Sequence, residues 1–93
     1  MKTKYHLNLY LPKSLVQKNN LSQNAIYLRD IFGKIPSIGE EISVSRDILK
    51  EKLPEKEYVF FNTTYKVIRV QNEVTKKRKG LESEIMVIAE KEA

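Results

Sequence analysis

The segment from Thr64 to Glu90 constrains this chain most. It reads TYKVIRVQNEV, then TKKRKGLES, then EIMVIAE. Two runs rich in Val, Ile and Tyr flank a polar, basic, glycine-containing stretch, which is the pattern of a β-hairpin with a long loop. Strict alternation in the first run puts Ile68, Val70 and Val74 on one face and Tyr65, Val67, Arg69, Gln71 and Glu73 on the other. The second run is apolar on both faces from Ile85 to Ala89, as expected of a strand placed centrally or beneath a covering helix. Ile68, Val70, Ile85 and Val87 are the expected core of the hairpin.

Its loop also holds the compact charge cluster of the chain. Lys76, Lys77, Arg78 and Lys79 supply +4 of a formal net charge of +5, so the basic character belongs to one loop and not to the surface at large. Four adjacent cations could neutralise phosphates through counterion release, in a salt-dependent and sequence-independent manner. They could equally keep a long turn soluble, and Glu73, Glu82 and Glu84 sit close enough in sequence to cancel part of their field.

Upstream, Lys4 to Leu11 alternates cleanly. Tyr5, Leu7, Leu9 and Leu11 face one side of a half-buried strand and Lys4, His6, Asn8 and Tyr10 the other, with Pro12 ending it. Tyr10, opposite the leucines, is placed either for cross-strand packing or as an accessory contact that stacks on a base. His6, on the polar face, reads as a surface residue. Tyr5, Phe32, Phe60 and Phe61 read as core.

Lys13 to Asn24 reads as a polar loop with room for one helical turn after Ser14. Asn24 to Phe32 fits a helix, through Leu21, Ala25, Leu28 and Phe32 with Ser22 as N-cap, and fits a strand almost equally. Its Ile, Tyr and Phe content favours the strand. Between Gly33 and Ser45, Pro36 and Gly39 predict a tight turn with Gly39 in its third position, then a short strand with Ile42 and Val44 inward. Ser45 can cap a helix from Arg46 to Leu53 that docks through Ile48, Leu49 and Leu53 and is ended by Pro54. Pro54 to Glu57 reads as a charged connector and Tyr58 to Phe61 as a further strand.

The corner formed by Pro36, Ile38, Gly39, Glu40 and Ile42, followed by Tyr65, Val67 and Val70, resembles small bacterial and phage-type β-barrel proteins of SH3-like shape. The resemblance covers about the second half of the chain and is a pattern of packing positions. It implies a closed barrel and a phage or mobile-element setting, and it carries over no catalytic residue.

At 93 residues the chain fits a single domain, residues 1–93, with a small core. The expected fold class is mainly β, with α+β as an alternative: a small antiparallel sheet or SH3-like barrel of about five to six strands with one short helix. With no cysteine and one histidine, thiolate sites are excluded and a zinc site is not expected. No catalytic residue, cofactor or metal site is assigned. No stretch is apolar enough to span a bilayer, and the expected setting is the cytoplasm. The expected function is a non-catalytic interaction module with a protein partner or self-association. The alternative is nucleic-acid binding through Lys76 to Lys79, and a metal-independent ribonuclease is a distant third.

Overall fold

A computed structural model describes residues 3–92. It is mainly β. One five-stranded sheet has the order β2-β1-β5-β4-β3. Its strands are β1 Thr3–Tyr10, β2 Ala25–Gly33, β3 Glu41–Ser43, β4 Thr64–Lys77 and β5 Gly80–Glu90. Three short helices, α1 Lys13–Lys18, α2 Arg46–Lys52 and α3 Glu55–Phe61, fill the connections. Three features depart from the expectation. The sheet is mixed, because β1 lies parallel to β5, and it carries three helices instead of one. It is also open, with β2 and β3 as its edges.

The alternation of β1 holds. Tyr5, Leu7 and Leu9 are buried on the face that meets Leu49 and Leu53 beside α2 and Phe61 of α3. Leu11 continues that face beyond the strand. This side is the core; the other is the outer face of the sheet. β5 occupies the central position its composition demands, between β1 and β4. Val87 and Ala89 are in the core, while Met86 on the outer face is buried among side chains of the flanking strands, including Asn8, whose amide donates to its sulfur at 3.3 Å.

Two bulges decide which residues reach the core. On β4, Val67 pairs with Ala89 and Arg69 with Ile88, so Ile68 is an extra residue and the alternation changes phase there. Tyr65 and Val67 are fully buried before the bulge, Val70 packs on the core after it, and Ile68 is 44% exposed. The expected core position of Ile68 is therefore corrected, whereas Val87 is core and Val70 and Ile85 are partly buried against it. On β2, Tyr5 pairs with Ile31 and Leu7 with Leu28, leaving Arg29 and Asp30 together opposite His6. That shift turns Ile31 inward and Phe32 outward, so Phe32 is 63% exposed and not core.

The segment read from Asn24 to Phe32 forms the strand Ala25–Gly33, as its composition favoured, and Gly39 takes φ +93° in the third position of its turn, closed by the Glu40 N–H donating to the Ser37 carbonyl. Ile42 and Val44 point inward. Tyr58 to Phe61 is corrected from strand to helix. Pro54 stands at the N-cap of α3, Glu55 and Glu57 favour its first turn, and Glu57 and Phe61, at spacing i, i+4, are its buried residues. The helical period is hidden in the sequence because one buried member is a glutamate. Its carboxylate accepts the Ser22 backbone N–H at 2.9 Å and the Ser22 hydroxyl at 2.8–2.9 Å. In α2, Leu49 and the following Leu53 are buried as expected, but Ile48 is 41% exposed.

Candidate functional site

The most developed concavity lies on the core side of the sheet, between its two edges. It has a volume of about 750 Å³, within the range of pockets that hold a ligand. Tyr5 and Leu7 of β1, Leu28 and Ile31 of β2, Ile42 and Val44 on and after β3, and Ile48 of α2 give it an apolar floor. Ser43, Ser45 and Lys52 add polar groups and a cation.

The sequence of lining residues shows how the strands meet this cleft. Side chains on a strand alternate between faces, so one face can present only every second residue. Yet Tyr27, Leu28 and Arg29 line it consecutively, as do Ile42, Ser43, Val44 and Ser45. Both segments therefore offer their backbone edges. Because β2 and β3 are the opposite edges of one sheet, the sheet must curl until they flank a common opening. The bulge at Arg29 and Asp30 shapes one wall, since it increases the local twist of β2.

That bulge is fastened by His6. The ring is only 1% exposed, and its Nδ1 accepts the backbone N–H of Asp30 at 3.0 Å. With Nδ1 accepting, the ring proton belongs on Nε2, which lies 3.3 Å from Glu84 Oε2 but is not aligned for a hydrogen bond. The contact is electrostatic. Tyr27 tilts over the ring at a centroid distance of 5.9 Å. The expectation of a surface histidine is thus corrected. The polar face of β1 is covered at this point by the side chains of Glu84 from β5 and of Tyr27, which local alternation could not reveal.

The basic cluster lies elsewhere. Pairing continues to Lys77 opposite Gly80, so the expected long loop is a tight two-residue turn, Arg78-Lys79. Neither residue takes positive φ; Gly80 takes it instead, at φ +126°. From Asn72 to Ile85 the hairpin strands pair only with each other, forming a two-stranded arm. Lys77 is bound to Glu84 at 2.9 Å. This hydrogen bond, with the lysine charge, holds the Glu84 carboxyl below its ordinary range, and the same pair raises the Lys77 ammonium. Lys76, Arg78 and Lys79 have no ion-pair partner among the described residues. The arm also exposes Val74 (66%) and Leu81 (73%).

Tyr10 is 36% exposed, opposite Glu90 at the far end of the sheet. Ten residues of β5 separate that position from the turn, about 34 Å at strand rise. Tyr10 and Lys76 to Lys79 do not form one site. Among the described residues no group of three His, Asp or Glu side chains is placed to hold a metal ion, and no helix is long and apolar enough to cross a membrane. Comparison with protein-family models, with curated proteins and with solved structures finds no match in any of the three.

Sequence reasoning missed the cleft. Its floor residues come from three strands, the end of a fourth segment and a helix, and only the hydrophobicity of each was visible. No signal in the sequence could have found it: Ile48 reads as a docking residue, and only the structure leaves it 41% exposed at the cleft.

Proposed function

We propose that the protein is a small non-catalytic interaction module that binds another protein through the cleft between β2 and β3. The observation that carries this reading is the pairing of an apolar floor with two open strand edges. Unpaired edges template association with another chain, and natural proteins usually cover or blunt them. Here both face the same concavity.

The test uses Ile48→Glu, which puts a charge into the cleft at a position already 41% exposed. Wild-type protein should retain a partner, or associate with itself in sedimentation, and the variant should lose that association. Its urea midpoint should move by the equivalent of about 1 kcal/mol, leaving the protein folded. A wild-type protein that sediments as a strict monomer and retains no partner refutes the reading, as does a partner held equally by the variant.

A second reading, nucleic-acid binding, is favoured by the projecting arm and its unpaired Lys76, Arg78 and Lys79. A two-stranded ribbon has the width that a major groove admits. Replacing Lys76 to Lys79 with serine should then lower both the affinity for DNA or RNA and the slope of log affinity against log salt. Absence of binding at low salt would end it. The Glu84 tie to Lys77 and the neighbouring Glu73 and Glu82 weigh against a strong polyanion site, so the cleft is preferred.

A further inference from the structure

We infer that the occupant of the cleft is a single extended strand donated by the partner, which fills the gap between β2 and β3 and closes the curled sheet. This rests on the interaction-module reading above and names the partner's chemistry. The partner segment carries apolar side chains at alternate positions and carboxylates between them.

Three observations carry it. First, an inserted strand meets backbone on both sides, Tyr27 to Arg29 on one and Ile42 to Ser45 on the other, so its N–H and C=O groups can be satisfied as a small amphiphile's need not be. The N–H of Asp30 is already engaged by His6, which limits pairing on the β2 side to the residues before it. Second, one face of such a strand would lie on Leu7, Leu28, Ile31, Ile42, Val44 and Ile48, while its other face would remain in water. Period-two alternation is the sequence that satisfies both environments. Third, Lys52 lines the cleft without an ion-pair partner among the described residues, and no carboxylate lines it. The charge it complements is negative. Lys52 in addition ends α2, where the helix carbonyls favour the cation that receives it.

The experiment selects linear random peptides displayed on phage against the full chain, then measures selected peptides by calorimetry and by amide spectra of isotope-labelled protein. Enriched sequences should alternate apolar residues with Asp or Glu. Amide signals of Tyr27 to Arg29 and Ile42 to Ser45 should shift and exchange more slowly. Methylating one inward-pairing peptide nitrogen should weaken binding about tenfold, the loss of one well-made hydrogen bond. The variant Lys52→Gln should weaken the acidic peptide about threefold at low salt and leave its Asn/Gln analogue unchanged.

The outcomes separate the two readings. Peptides that bind elsewhere, or in the cleft without sensitivity to N-methylation, overturn strand donation and leave the interaction module standing. Cleft peptides with no acidic preference overturn the stated charge chemistry alone. Dodecanoate binding in the cleft with no enriched peptide overturns both readings in favour of an amphiphile site. No enrichment, together with a partner held equally by Ile48→Glu, also overturns both.

Discussion

Val67→Ala and Ile68→Ala test the bulge that sets the phase of β4. Valine loses two carbons on truncation and isoleucine three, so chemistry alone would make the second change the costlier. Position reverses that order. Val67 is 1% exposed and sits in the core, so its truncation loses about 1.6 kcal/mol of transfer free energy at about 0.8 kcal/mol per carbon, and the unfilled space raises the cost to about 2–3 kcal/mol. Ile68 is 44% exposed on the outer face, leaves no enclosed cavity, and should cost about 1 kcal/mol. Both lose strand preference, which cancels in the comparison. Urea denaturation followed by far-ultraviolet circular dichroism gives both values, provided the slope m is common to the two variants. If Ile68→Ala costs as much as Val67→Ala, the strand has no bulge there and uninterrupted alternation is the correct register.

Other consequences follow from single contacts. Tyr65→Phe removes a 2.6 Å hydrogen bond from its hydroxyl to the buried Phe61 carbonyl, which keeps the Thr63 N–H as a second donor, so about 1 kcal/mol should be lost in chemical denaturation. Burial also raises the Tyr65 pKa above its ordinary 10.0, so the phenol stabilises the fold below that pH and the contribution declines as pH rises through the folded value; Tyr65→Phe should flatten the alkaline slope of stability against pH. Glu84 has the opposite sign. Held below its ordinary 4.5 by Lys77, it contributes above that value and loses the contribution as pH falls through the folded pKa, an acid-side slope that Lys77→Met should reduce in urea titrations across that window. His6→Ala leaves the Asp30 N–H unpartnered and a buried ring unfilled, and should cost about 2–4 kcal/mol in denaturant; in the intact protein, imidazole nitrogen shifts should report the proton on Nε2. A proton on Nδ1 would refute the assigned bulge contact.

What the sequence determined by itself is the set of elements whose patterns are purely local. Alternation in Lys4 to Leu11 specified both the first strand and its buried face, because period two needs no knowledge of neighbours. The apolar run from Ile85 to Ala89 specified a strand whose two faces both need cover, placed centrally or beneath a helix, and the sheet order makes it central. Gly39 specified a turn through its backbone freedom. The mainly β class followed from these.

Tertiary structure decided what depends on a partner strand or a distant side chain. The extra residues at Ile68 and at Arg29-Asp30 change phase only against the strands they pair with, so Phe32 and Ile68 read as core from local spacing and lie in solvent. Glu57 could be counted in a buried helical line only once Ser22 was beside its carboxylate. His6 is buried by Glu84 and Tyr27, residues 78 and 21 positions away in the chain. The cleft is the extreme case. It exists because sheet curvature brings two edges of the same sheet to one opening, and curvature is a property of the assembled sheet that no single segment encodes.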